Sequence, residues 1–148
     1  MIVVDRQDIA TKLRDLIDNS IGPNAENLVE TVLDYVPVSP EGLSPLISVA
    51  PISSEPGNSS AGRISELTNF IVYIFVLYSH TDREIDERDA WVRLNTLHKR
   101  IVELLLLNKK VEGLWQTLKF NPGGAIMPIK IDDQGYLLEP LPITVGVY

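Results

Sequence analysis

Nine consecutive apolar residues, Phe70–Tyr78, constrain this chain more than any other feature. The run is about half the length of the roughly 20 residues that a membrane-spanning helix needs. It is rich in β-branched and aromatic side chains, which favour strand. As a strand it carries Ile71, Tyr73, Phe75 and Leu77 on one face. Phe70, Val72, Ile74, Val76 and Tyr78 lie on the other. A strand that is apolar on both faces must be covered on both. The expectation is a central strand within Arg63–Ser79, with helices on one side and a further segment, or a second subunit, on the other.

Two segments have helical period. In Asp8–Asp18, Ile9, Leu13, Leu16 and Ile17 share one face, and Gly22-Pro23 stops the helix. A longer helix starts from a capping box at Thr81-Asp82-Arg83-Glu84 and runs to about Asn108. Its stripe is Trp91, Leu94, Leu97, Ile101, Leu104 and Leu105, and Trp91 is therefore expected in the core. Asp82, Glu84, Asp86 and Glu87 suit its positive end, and Lys109-Lys110 its negative end.

Between these helices the chain reads as extended and turn-rich. Asn24–Tyr35 suits a short helix or turn, with strand as the alternative over Thr31–Val36. Val36–Pro45 is a proline-bearing connector. Leu46–Ala50 is a short strand between Pro45 and Pro51. Ile52–Gly62 is expected to be a mobile loop (about residues 52–63), from its Ser, Gly and Pro content.

After Gly113 the period returns to two, in Leu114–Phe120, Ile126–Asp132 and the final Leu141–Val147. Asn121-Pro122-Gly123-Gly124 and Asp132-Asp133-Gln134-Gly135 read as hairpin turns. Pro140 and Pro142 remove two N–H groups from the same side of the last strand, so that side is unpaired there and forms a local sheet edge. The fold class is α+β, a single domain over residues 1–148. A mostly antiparallel sheet packs against one long helix and an N-terminal helix.

Composition narrows function mainly by exclusion. Twenty acidic residues against thirteen basic ones give a formal charge of −7, unlike a domain built to grip nucleic-acid phosphates. No cysteine is present, which removes disulfides, thiolate catalysis and cysteine-ligated metals. The start, Met1-Ile2-Val3-Val4-Asp5-Arg6, lacks the pattern of a secretory signal. Only His80 and His98 offer imidazole. His80 with Asp82, Glu84 and Asp86 is the one grouping that resembles a cation site, and it reads better as a solvated helix start. No nucleophile elbow, Walker loop, dinucleotide-binding turn or zinc-protease motif occurs. No catalytic residue, metal ligand or cofactor is assigned. Trp115 lies opposite Leu114 and Leu118 on its strand, and Trp is enriched at interfaces, so Trp115 is the aromatic interface candidate.

The order of elements resembles the tail terminator (tail completion) proteins of tailed bacteriophages. The resemblance covers most of the chain. It rests on Asp34-Tyr35-Val36-Pro37, Ser44-Pro45-Leu46-Ile47-Ser48-Val49-Ala50-Pro51 and Val76-Leu77-Tyr78. Further along it rests on Ile101-Val102-Glu103-Leu104-Leu105-Leu106-Leu107-Asn108, Val111-Glu112-Gly113 and Leu141-Pro142-Ile143-Thr144-Val145-Gly146-Val147. It implies a structural virion protein at the head–tail junction, made in the host bacterial cytoplasm. Such a protein forms a ring, usually a hexamer, that caps the tail tube, stops its polymerisation and offers a surface to the head. Its implied partners are further copies of itself, the tail tube protein and a neck or head-completion protein, with DNA passing through unbound. A head-to-tail ring needs two different patches per subunit. Ser53, Glu55, Asn58 and Arg63 are the expected contacts on the loop, with Pro140 and Pro142 at the strand edge. An acidic wall would let duplex DNA slide. A neck or head-completion protein of similar size is the alternative within the class. A small enzyme or ligand-binding module is the alternative outside it.

Overall fold

The structure, a computed structural model, describes residues 4–56, 66–80 and 84–147. Among these residues two helices, α1 (Arg6–Ile21) and α2 (Glu87–Leu107), lie on one face of a six-stranded sheet. The strands are β1 (Thr31–Leu33), β2 (Leu46–Pro56), β3 (Glu66–Ser79), β4 (Thr117–Phe120), β5 (Met127–Ile131) and β6 (Gln134–Val147). They run in the order β1-β2-β3-β6-β4, with β5 also paired to β6. Only β1 and β2 are parallel, and every other pairing is antiparallel. The α+β expectation holds.

The doubly apolar segment is central, between β2 and β6. Phe70, Val72, Ile74 and Val76 point under the helices and join one core with Ile9, Leu13 and Ile17 of α1 and Leu94, Leu97, Ile101 and Leu105 of α2. The other face is covered over part of its length. Phe75 and Leu77 join Leu46 and Tyr136 in a second, smaller core, against which Leu33, Leu43 and Ile85 pack. Leu43 of the 36–45 connector is part of that cover. Besides the bonds that the Ser44 N–H and the Pro45 carbonyl make with Glu30 (both 2.9 Å), three hydrogen bonds tie the connector down. The Gly42 N–H donates to the Tyr136 hydroxyl (2.9 Å), the Leu77 N–H to Ser44 Oγ (2.8 Å), and the Ser39 hydroxyl to Asp132 Oδ2 (2.9 Å).

Several boundaries differ from expectation. The helix over Asp8–Asp18 extends to Arg6–Ile21, capped by Asp5, whose side chain accepts from the Gln7 N–H. In Asn24–Tyr35 the strand alternative prevails at Thr31–Leu33 after a turn. Pro51 does not end its strand: β2 continues to Pro56 through a bulge between Pro51 and Ser53. β1 spans only Leu46–Ser48 of it, so Pro51 sits in an edge stretch where proline is tolerated. Ile52–Pro56 are therefore strand rather than loop, because their backbone pairs with β3. The rest of that expected loop, with Asn58 and Arg63, lies outside the described residues.

The long helix starts at Glu87, not at Thr81. Asp86 is the cap and accepts from the Arg88 and Asp89 N–H groups. Thr81, Asp82 and Arg83 lie outside the described residues. Its end at Asn108 is as expected.

Asn121–Gly124 is not a hairpin turn. β4 and β5 both pair antiparallel with β6, along Ile143–Gly146 and Gln134–Leu138 respectively. They are two collinear pieces of one strand, and residues 121–126 bulge out between them, opposite the stretch of β6 that holds Pro140 and Pro142. Those two prolines do lie where that side of β6 has no ladder partner. Among the described residues, the backbone bond there is the Asn121 N–H donating to Pro142 O (3.0 Å). The true hairpin turn is Asp132-Asp133, both at positive φ (51° and 61°), as a two-residue type I′ turn requires.

Candidate assembly surface

The two tryptophans exchange their expected places. Trp115 is fully buried and its indole N–H donates to the Asn108 carbonyl (2.9 Å). That bond ties the end of α2 to the segment leading into β4, so Trp115 is a core residue and not a surface contact of the subunit. Trp91 is 40% exposed. The helical period is right in direction, but Ala90, one position earlier, takes the inward place. A large side chain on the flank of a stripe and a small one at its centre are not distinguished by spacing alone.

The outer face of the sheet, away from the helices, is built from registered rows. Ala50, Ile71 and Pro142 form one row across β2, β3 and β6. Ser48, Tyr73 and Pro140 form the next, followed by Leu46, Phe75 and Leu138, with Met127 beyond on β5. No charged residue stands in these rows. Ile71, Tyr73, Leu138, Pro140 and Pro142 are half-buried and Met127 is 49% exposed. The helices cover the opposite face; on this one Leu46, Ser48, Ala50 and Phe75 are buried, and the side toward β6 and β5 is left half-buried or exposed. Among the described residues, Ser48 Oγ is buried here without a hydrogen-bond partner.

A line of polar side chains borders these rows. Asn69 Nδ2 donates to Ser53 Oγ (3.0 Å), the Thr144 hydroxyl donates to Asn69 Oδ1 (2.6 Å), and Asn121 Nδ2 donates to Thr144 Oγ1 (2.7 Å). The line crosses β2, β3 and β6 and ends at the 121–126 bulge. Of the expected contact residues, Ser53 therefore has a structural partner, and Glu55 is exposed one register row further out, opposite Leu67. Pro140 and Pro142 lie in the apolar rows. The structure places Ser53, Glu55, Pro140 and Pro142 on one face and separates Trp115 from them. Leu138 and Met127, which complete the apolar surface, were not singled out in the sequence. Their signal was the alternation Met127, Ile129, Ile131 against Pro128 and Lys130.

The imidazoles are both engaged. His80 Nε2 lies 3.0 Å from Gln134 Nε2. His98 Nδ1 lies 2.5 Å from Glu139 Oε2, joining α2 to the helix-covered face of β6. Among the described residues, no group of three or more His, Asp or Glu side chains converges to hold a metal ion. No helix there is long and apolar enough to cross a membrane. At the surface, Arg100 makes two hydrogen bonds to Glu26 (2.6 and 2.8 Å). This contact holds the Glu26 carboxyl below its ordinary value, and the carboxylate in turn raises Arg100.

No protein-family model matches the chain, and no curated protein matches it. A solved structure described as the virion of a native gene transfer agent particle contains a chain similar to this one. The two are 12% identical with a TM-score of 0.48, over 96% of this chain and 95% of that one.

Proposed function

We propose that this chain is a structural subunit of a tailed-phage virion, a tail terminator. Copies of it form a ring that caps the tail tube, ends its polymerisation and offers the head-joining surface, with DNA passing through. The observation that carries this reading is the outer sheet face. In its middle rows no residue is charged, and Ile71, Tyr73, Leu138, Pro140 and Pro142 are half-buried and Met127 exposed beside the buried Leu46, Ser48, Ala50 and Phe75; this apolar β3–β6 side has the character of a surface that another protein completes. The element order supports it through the resemblance to tail terminators. Glu41, Asp132 and Asp133 add exposed carboxylates beside the connector, suited to a wall along which phosphates slide.

Negative-stain electron microscopy of the pure protein, alone and with purified tail tubes, tests the reading, with native mass spectrometry for the copy number. Annuli in solution or on tube tips are the expected result. A protein that stays monomeric and never binds tube tips overturns it. Capture by filled heads instead of tubes would assign the neck role.

A further inference from the structure

The two ends of α2 are unlike in a way that fits them to each other on separate copies. At the N-terminal end, residues 84–89 hold four carboxylates, Glu84, Asp86, Glu87 and Asp89, against one arginine, Arg88, all exposed. Asp86 is spent on capping the helix. Glu84, Glu87 and Asp89 make no ion pair among the described residues. Trp91 and Val92 follow at once, 40% and 48% exposed. At the C-terminal end, Leu106 and Leu107 are 47% and 83% exposed. Lys109 and Lys110 come next, exposed and without an ion pair among the described residues, against the single carboxylate of Glu112. Each end thus places charge that has no ion-pair partner among the described residues beside exposed apolar side chains, and the charges have opposite sign. The helix spans 21 residues, about 32 Å at 1.5 Å per residue, so the two ends cannot meet within one subunit.

We propose that the acidic end of α2 on one copy docks against the basic end of α2 on the next, forming the head-to-tail contact between subunits. This rests on the ring reading above and assigns its subunit contact. A heterologous contact needs two different complementary patches, and it closes into a ring when the rotation per subunit permits. Opposite charges also select against wrong pairings: acidic on acidic and basic on basic repel, so face-to-face dimers are disfavoured. The same charges complement the helix macrodipole, which accounts for their effect inside the subunit. The dipole does not account for Val92, Leu106 and Leu107 being left in water beside them. Val92 and Leu106 lie, by helical period, on the side of α2 opposite its buried stripe.

The test uses two full-length variants, Glu84→Lys/Glu87→Lys, which makes both ends basic, and Lys109→Glu/Lys110→Glu, which makes both acidic. Asp86 is left in place so that the helix stays capped, and far-UV circular dichroism checks the fold. Sedimentation velocity at low and high salt reads assembly, alone or on tail tubes as the wild type requires. Each variant alone is expected to self-associate at least about ten-fold more weakly than wild type at low salt, with a smaller difference at high salt, where screening shortens to about 3 Å at 1 M. An equimolar mixture of the two is expected to regain assembly, because every contact again joins an acidic end to a basic one. Wild-type-like rings from either variant alone overturn this contact and leave the ring reading standing. Loss of rings without recovery in the mixture overturns the pairing of these ends. A wild type that forms rings neither alone nor on tubes overturns the ring reading itself.

Discussion

Replacing His98 tests how α2 is fixed to the sheet. Glu139 is 7% exposed on the helix-covered side of β6, between Leu137 and Leu141, which point the same way. Among the described residues its side-chain partner is His98, at 2.5 Å. With Glu139 ionised, Nδ1 of His98 must carry the proton, since a carboxylate only accepts. Breaking a fully buried pair by removing one partner costs about 3–5 kcal/mol, and a hydrogen bond to a charged group contributes about 1.5–3 kcal/mol. The His98 side chain is 44% exposed, so water can take the place of the ring after truncation. The His98→Ala cost is therefore expected at about 1–2 kcal/mol, below the first range and at the low end of the second. That corresponds to a fall in Tm of about 2–8 °C for a chain near 150 residues. Glu139→Leu removes the charge that needs a partner and supplies a side chain like its neighbours. It is expected to be neutral or stabilising, as apolar replacements of buried pairs often are. In the Glu139→Leu background, His98→Ala should then cost less than about 0.5 kcal/mol. Urea unfolding of the four proteins in the cycle measures all of this. Equal His98→Ala costs in both backgrounds, or a Glu139→Leu variant less stable than His98→Ala, would refute the view that a buried carboxylate sets the penalty.

Three other outcomes follow from the geometry. Asp133→Gly is expected to stabilise by about 0.5–1 kcal/mol in thermal unfolding, because Asp133 has φ 61° and glycine adopts that region without cost; Asp132 is kept because it accepts from Ser39. Trp115→Ala is expected to cost about 3–5 kcal/mol by loss of a fully buried indole, whereas Trp91→Ala should change monomer stability by under about 1 kcal/mol and weaken self-association, which chemical denaturation and sedimentation distinguish. The Glu26 carboxyl, held down by Arg100, should titrate by NMR at lower pH than in Arg100→Gln. A carboxyl with a depressed value contributes stability that is present above its unfolded value, and that contribution disappears as pH falls through the folded one.

What was legible in the sequence is what periodicity and backbone chemistry control. The two helices, the central strand, the Asp132-Asp133 turn and the unpaired side at Pro140 and Pro142 all have local causes. The misread places depend on partners distant in the chain. Ile52–Pro56 has the composition of a loop and becomes strand because β3 is long enough to pair with it. Gly123 and Gly124 look like a turn, yet β6 is long enough to pair on both sides of them, so the chain bulges instead of reversing. Trp115 has a strand-like position and is buried because the helix end above it leaves the Asn108 carbonyl for its indole to satisfy. Of the expected contacts, Ser53, Glu55, Pro140 and Pro142 came to one face because they share strand register, which requires the pairing of β2, β3 and β6 to be known.

Prolines decide which surfaces of this sheet remain open to association. An unpaired strand edge is a ready template for another chain, and proline blunts it by removing a donor. Pro51 and Pro56 interrupt β2 beyond the reach of β1. Pro128 does the same on β5. The two-residue turn makes Ile131 and Gln134 a hydrogen-bonded pair, so Ile129 and Met127 also face β6, while Pro128 and Lys130 face outward. An N–H at residue 128 would point into solvent. Association through these stretches of sheet edge is thus disfavoured, which is consistent with the apolar rows and the ends of α2 proposed above as contact surfaces. Pro128→Val tests this, since it restores the outward donor with a strand-favouring side chain on an already exposed site. The expected result is concentration-dependent light scattering and open-ended aggregates, with monomer stability changed by less than about 1 kcal/mol. If Pro128→Val assembles into the same species as wild type, at the same concentrations, the edge was never in competition with the faces and the argument from proline placement fails.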